Sequence, residues 1–348
     1  MKITIFYSLF FFVTITTMLA ISSCEEDEEN KSPNCSIISP KESAIITLGE
    51  VITISVEADD PDGNLKEVRF FIDNVGVGIA SNFPYKYDWN TSDILLGDHK
   101  IKVEVIDEEQ AKSEDEVDII IFNKIASEIV MDYDGNEYKT VQIGDQLWMA
   151  ENLKTTHYAV GTEITLVENN AYWGWLTASD KAYCFYDNNI ANKDIYGALY
   201  TWAAAMNGAT SSDFNPSGIQ GICPTGWHLP SDDEWKELEL YLGMNQAELD
   251  EDGFYNRGTG IGSKLKTKSG WNNDGNGNNM SAFSALPAGA RWDYSTTFFN
   301  LGVQASFWSS TEDYYYDAYI RQLSSSYTHI ERHTRDKENG YSVRCIKD

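Results

Sequence analysis

GICPTGWHLPSDDEWKELELYLG, residues 221–243, decides how the second half of this chain is read. A cysteine, a histidine and a cluster of acids so close together invite the reading of an active site. Helix physics accounts for the acids without one. Ser231 stands where an N-cap is wanted, and Glu234, three residues on, completes a capping box. Asp232 and Asp233 fall in the first turn, where the helix dipole favours negative charge. Trp235, Leu238 and Leu242 form an apolar stripe at helical spacing, and Gly243 supplies the stop. The pattern predicts a helix between Ser231 and Gly243 whose acids need no catalytic role. His228 is expected to pack beside Trp227 and bond a backbone group through a ring nitrogen.

Working outward, VMDYDGNEYKTVQIGDQLWMAENLKTTHY (130–158) reads as a hairpin turning at Asp134 and Gly135. DIYGALYTWAAAMNG (194–208) reads as a helix with Leu199, Trp202, Ala203 and Met206 on one face and Gly208 at a left-handed cap. The segment 258–292 is rich in Gly and Asn and poor in regular pattern. Inside a compact domain, such a segment is either functional or held by its neighbours. SFWSSTE, AYIRQLS and GYSVRCIKD then close the chain as strand-like pieces.

Residues 34–123 have a different texture. In EVITISVEA, Val51, Thr53, Ser55 and Glu57 alternate with Ile52, Ile54, Val56 and Ala58. KEVRFFIDN, YKYDW, HKIKVEVID and EVDIIIF follow at sandwich-like spacing, bounded by Gly, Asn or Asp. No stretch here has helical period, so a seven-strand β-sandwich is expected. Asp59, Asp60 and Asp62 lie in a loop that suits calcium by its acids. It suits a tight turn equally well, since Asp-Pro-Asp-Gly presets one dihedral and supplies a positive one.

The N-terminus is read apart from the fold. Lys2 precedes an apolar run from Ile3 to Ile21 and a small-residue segment, the form of a secretory signal. Ile21-Ser22-Ser23-Cys24 resembles the lipobox of bacterial lipoproteins, which implies a signal peptide over 1–23 and lipid on Cys24. The alternative is an uncleaved transmembrane anchor, since the run is nearly long enough to span. Residues 24–33 form an acidic tether with nothing to bury. In lipoproteins of this type such a tether resembles a signal for display on the outer face, which implies a lipid-anchored protein of the outer membrane at the cell surface; the alternative is a plain solvated spacer.

With 42% hydrophobic and 13% aromatic residues, the remaining length supports two real cores. The net charge of −28 divides as −12 over 34–123 and −13 over 124–348, nearly all the rest lying in the tether. Neither part offers the basic patch that a phosphate backbone needs, so nucleic-acid binding is excluded. Five cysteines are present, none in a C-x-x-C pair, which disfavours zinc. With Cys24 used for lipid, Cys35, Cys184, Cys223 and Cys345 allow three pairings that spacing alone does not settle.

DGNEYKTVQIGDQLWMAENLKT, YGALYTWAAAM, CPTGWHLPSDDEWKEL, GSKLK, FSALPAGAR, FWSSTE and NGYSVRCIKD, in that order over roughly residues 127–348, resemble the Fibrobacter succinogenes major paralogous domain. ADDPDGNLKEVRFFIDNVGVG resembles bacterial Ig-like modules of surface proteins. The first family is similar to the C-type-lectin-like fold shared with formylglycine-generating enzymes. The expected architecture is therefore multidomain: an all-β Ig-like sandwich over 34–123, then an α+β C-type-lectin-like domain over 127–348. The lectin-like resemblance implies a whole-domain disulfide between Cys223 and Cys345, leaving Cys35 and Cys184 as buried thiols or second-choice partners.

The chemical signals are weak. His329 and His333 have metal-pair spacing without the H-E-x-x-H order or a third ligand. WNND, residues 271–274, suggests a sugar-binding lectin triplet but lacks its companion. No catalytic residue, metal ligand or cofactor is assigned. The favoured function is a non-catalytic binding or adhesion module at the cell surface, held to the membrane by its lipid, with an extracellular glycan or protein as ligand. Exposed aromatics such as DYYYDAY (313–319) suit sugar stacking, or merely alternate in a strand. The alternative is an oxidoreductase-like enzyme of the formylglycine-generating kind, which needs reactive thiols.

Overall fold

The computed structural model describes residues 29–123, 125–253, 257–293 and 297–348. The expected signal peptide and the lipidation site at Cys24 lie outside the described residues. Strand accounts for 40% of the described residues and helix for 12%.

The first domain is an Ig-like sandwich. Its strands are β1 (Asn34–Ser39), β2 (Ala44–Thr47), β3 (Val51–Asp59), β4 (Leu65–Ile72), β5 (Val75–Ala80), β6 (Lys86–Asn90), β7 (Gly97–Asp107) and β8 (Lys112–Phe122). One sheet runs β1-β3-β6, the other β2-β8-β7-β4-β5. The eight strands correct the expected seven. The stretches named from pattern left out β1, β2 and β5, the last of which follows β4 through a two-residue turn at Asp73 and Asn74, both with positive φ. Alternation in β3 holds as read: Ile54 and Val56 are buried while Val51, Thr53 and Glu57 are exposed. They face Val68, Phe70, Val103, Val105, Ile119 and Ile121 across the core.

The second domain opens with the hairpin β9 (Ile125–Met131) and β10 (Glu137–Ile143), with Gly135 at φ +77° in the turn, and continues into β11 (Gln146–Met149). The last strand, Ile346–Lys347, returns to lie between β11 and Trp227–His228. A second sheet, Gln304–Tyr314, Asp317–Ser324 and Glu331–Asp336, is fully antiparallel. The helix read from the opening stretch spans Asp232–Tyr241 with the Ser231–Glu234 capping box in place. Its Trp235 ring lies 4.7 Å from Trp148 and 5.8 Å from both Phe283 and Phe307, joining the two sheets.

The helix expected over 194–208 is broken. Helices Lys193–Tyr196 and Trp202–Met206 flank a two-residue strand, Leu199–Tyr200. Gly197 stands between them at φ +78°, pressed so close to Asn152 and Leu153 that a Cβ there would clash with both. Thr201 caps the second helix, and Asn207, left-handed, ends it one residue before the expected Gly208.

The head meets one end of the sandwich. Asn123 N donates to Met280 O at 2.7 Å, and Lys264 Nζ donates to Leu96 O and Leu242 O, both at 2.8 Å. The first described residues sit at the opposite end, where Asn30 Nδ2 donates to Asp107 Oδ2 and Lys31 is bound to Asp62. The 11 residues of β8 join these two ends, a span of roughly 35 Å.

Candidate ligand-binding face

The singled-out residues within the described part of the chain have definite places. Cys223 and Cys345 form a disulfide with Cα atoms 5.9 Å apart. Cys184 is buried and Cys35 half-buried, and burial pushes both thiols up to about 12. At the Asp59–Asp62 loop, Asn34 donates to Asp59 and Lys31 to Asp62. Among the described residues no three His, Cys, Asp or Glu side chains converge as metal ligands. His329 stacks on Tyr327 at 4.8 Å, and burial drives the His333 pKa down to about 3. Trp271 of the WNND stretch is buried, its indole N–H donating to Thr267 and Ala285.

His228 corrects its expectation. Its partners are carboxylates rather than backbone: Nε2 meets Glu234 Oε1 at 2.6 Å and Nδ1 meets Asp348 Oδ1 at 2.8 Å. Burial alone would lower its pKa, but these two hydrogen bonds and charges outweigh that and raise it.

Sequence reasoning also missed what two helix acids do. Asp232 and Glu239, two turns apart, both point inward. Asp232 binds Arg321 at 2.7 Å and Arg332 at 2.8 Å, and Glu239 binds Arg321 at 2.5 Å and Arg257. Burial would raise the Asp232 pKa, yet the two guanidiniums hold it well below the usual carboxylate range. The available signal was Glu239 itself, four residues after Trp235 and therefore on the apolar stripe.

The irregular 258–292 segment is held by neighbours in a second way. Buried cations tie it to them through carbonyl oxygens, one from inside the segment and one from outside. Lys266 Nζ donates to Ser324 O and Tyr327 O, and Arg344 donates to the carbonyls of Met149, Phe283 and Ser284. Burial lowers the pKa of Lys266 to about 8 and of Arg344 to about 9. Charged donors of this kind make the stronger hydrogen bonds.

The same device builds the most conspicuous surface feature. Gln304–Tyr314 and Asp317–Ser324 are joined at a turn, so Tyr314, Tyr315 and Tyr316 do not alternate in and out. All three are exposed, at 72%, 75% and 63%. Their turn is not loose. Buried Lys337 donates from Nζ to Glu312 Oε2 at 2.6 Å, Tyr315 O at 2.8 Å and Tyr314 O at 3.3 Å. Its backbone N–H donates to Tyr316 O, and its ammonium lies 4.5 Å from the Trp202 ring centroid. Asp313 and Asp317 flank the rings, and burial together with Asp336 and Asp313 raises the Asp317 pKa. Exposed Phe214 belongs to a neighbouring loop that is tied to the hairpin through Ser211 and Ser212. Lys337 carried no sequence signal, because a lysine in DKENG looks like any solvated turn.

Fold and face together define an Ig-like sandwich carrying a disulfide-closed head with a pinned aromatic turn. Residues 141–347 match the Fibrobacter succinogenes major domain, and the chain belongs to that family. Residues 33–103 match the bacterial Ig domain. Comparison with curated proteins gave no match. Among solved structures, the fibronectin(III)-like modules of Clostridium thermocellum CbhA are similar at 28% identity over 26% of this chain and 47% of that one, TM-score 0.25. The PKD1 domain of Vibrio anguillarum Epp is similar at 16% identity over 27% of this chain and 96% of that one, TM-score 0.19. The Bacteroides ovatus mixed-linkage glucan utilization locus protein SGBP-B, in complex with a mixed-linkage heptasaccharide, is similar at 18% identity over 35% and 31%, TM-score 0.22. Likenesses this small carry no argument about function.

Proposed function

We propose that this protein is a non-catalytic, surface-displayed binding module whose head takes a glycan on the Tyr314–Tyr316 turn. The carrying observation is that turn: three exposed rings in sequence on a backbone fixed by a buried lysine. Aromatic faces on a rigid support bind at little cost in side-chain entropy. Lipidation of Cys24 and anchorage in the outer membrane belong to the same reading, as does a C-type-lectin-like fold for the head. The lectin-like fold is supported by the last strand returning beside β11 and by the Cys223–Cys345 closure. Display is supported by the sandwich, which separates the chain's N-terminal side from the head. Among the described residues no helix is long and apolar enough to cross a membrane.

The oxidoreductase alternative needs a pair of reactive thiols. Cys223 and Cys345 are bonded to each other, and the two remaining described thiols are pushed up by burial. The test is affinity electrophoresis of the full chain through gels containing soluble polysaccharides. Parent protein is expected to be retarded by at least one, and a Tyr314→Ala/Tyr315→Ala/Tyr316→Ala variant to migrate freely. Equal retardation of the two proteins would remove the turn from the site.

A further inference from the structure

A second exposed aromatic pair stands in the same domain. Trp175 is 73% exposed and Tyr172 60%, with ring centroids 5.6 Å apart. Between them in sequence, Trp173 is wholly buried. The guanidinium of Arg291 covers the Trp173 ring at 4.3 Å and donates to Val167 O at 2.6 Å and Asn170 Oδ1 at 2.7 Å. Asn169 Oδ1 accepts from the backbone N–H groups of Ala171 and Tyr172. The backbone carrying the exposed pair is thus as firmly pinned as the tyrosine turn.

The two aromatic groups are linked by one run of contacts. Gly174 lies against the Asp293 carbonyl, which a Cβ would approach to 3.3 Å. Asp293 N donates to Asn339 Oδ1 at 3.0 Å, Asn339 N donates to Asp336 O at 3.0 Å, and Lys337 N donates to Tyr316 O at 2.9 Å. Following Cα steps along that path, Trp175 and Tyr316 lie within roughly 25 Å of each other. That is an upper limit on their separation, and a polysaccharide strand can span it. The charges between and beside the rings are mostly carboxylates, Asp293, Asp336, Asp313 and Asp317, and the one cation of the turn, Lys337, is buried against Glu312, in a head region whose net charge is −13. Carboxylates accept hydrogen bonds from hydroxyl groups and repel anions.

We infer that Tyr172 and Trp175 form a second aromatic subsite continuous with the tyrosine turn, so that the head holds an extended, uncharged polysaccharide strand. The inference rests on the proposed role of that turn. The ridge of loops 336–339 and Asp293 lies beneath the strand, the two aromatic groups stack on sugar rings at either end, and uronate-rich or sulfated chains are refused.

The test uses the full chain with soluble β-glucan, xylan and mannan, and with pectin and a sulfated glycan as anionic probes. For each neutral polymer that retards the protein, affinity is titrated against its oligosaccharides from disaccharide to octasaccharide. Trp175→Ala is expected to weaken the octasaccharide and the polymer about tenfold and leave the disaccharide unchanged, with Trp175→Phe restoring most of the loss. The triple tyrosine variant is expected to weaken every length. If Trp175→Ala binds every length like the parent while the tyrosine variant loses binding, the second subsite is wrong and the turn's role survives. If neither variant changes binding, or no neutral polymer is retained, both fall. Retention by pectin or the sulfated glycan overturns the uncharged-chain assignment.

Discussion

Replacing Glu239 by Gln opens the buried charge cluster at its centre. Glu239 is fully buried, with one carboxylate oxygen on Arg321 at 2.5 Å and the other on Arg257. The substitution keeps the shape and removes one negative charge, which leaves Asp232 as the only described carboxylate bonded to Arg321. Breaking a buried pair by neutralising one partner costs about 3–5 kcal/mol, because the other charge stays buried and uncompensated. For a head of this size that is a fall in melting temperature on the order of 10 °C. The assay is calorimetric unfolding of the full chain, following the transition that carries the head's tryptophan fluorescence change. Asp233→Asn, an exposed first-turn acid on the same helix, serves as control and should cost under about 1 kcal/mol. A Glu239→Gln protein that melts with its Asp233→Asn counterpart would refute the idea that the Arg257, Arg321 and Arg332 guanidiniums depend on these helix acids.

Three further outcomes are expected. Ser231→Ala removes the cap and half of the capping box, lowering head stability by about 1 kcal/mol while glycan retention is unchanged. Loss of retention at unchanged stability would show that Ser231 does more than cap. Cys223→Ala/Cys345→Ala opens a closure of 122 residues and should cost about 4–5 kcal/mol of stability, read as a lower denaturant midpoint, and a midpoint equal to the parent's would show that the bond constrains nothing. His228 has a raised folded pKa, so its stabilisation is complete below its unfolded value near pH 6.5 and is lost as pH rises through the folded value. The stability difference between parent and His228→Gln should therefore shrink from pH 6 to pH 9, and a difference that grows over that window would reverse the sign argued here.

Much of this was legible in the chain. Strand alternation at Ile54 and Val56, the turn at Gly135 and the capping box at Ser231 are local signals, each read correctly because a few neighbouring residues determine them. The helix misread over 194–208 shows where local reading stops. Its apolar spacing was helical, but Gly197 is packed against Asn152 and Leu153, and Leu199 and Tyr200 pair with Cys184 and Tyr183. Tertiary pairing overrode the periodicity. The site was harder to read. DYYYDAY announced aromatics, but whether they sit in a strand or at its turn depended on a register between strands. Lys337 and Arg291 act on carbonyl oxygens, which leave no trace in side-chain pattern.

Oxidative footprinting read by mass spectrometry tests the central claim most directly. The full chain is oxidised with and without the polysaccharide that retards it, and side-chain modification is compared residue by residue. The account predicts that Tyr314, Tyr315 and Tyr316 are protected by the polysaccharide while exposed rings on the sandwich, such as Phe83, are modified equally in both. Protection confined to the sandwich, with the tyrosine turn oxidised alike in both conditions, would contradict it.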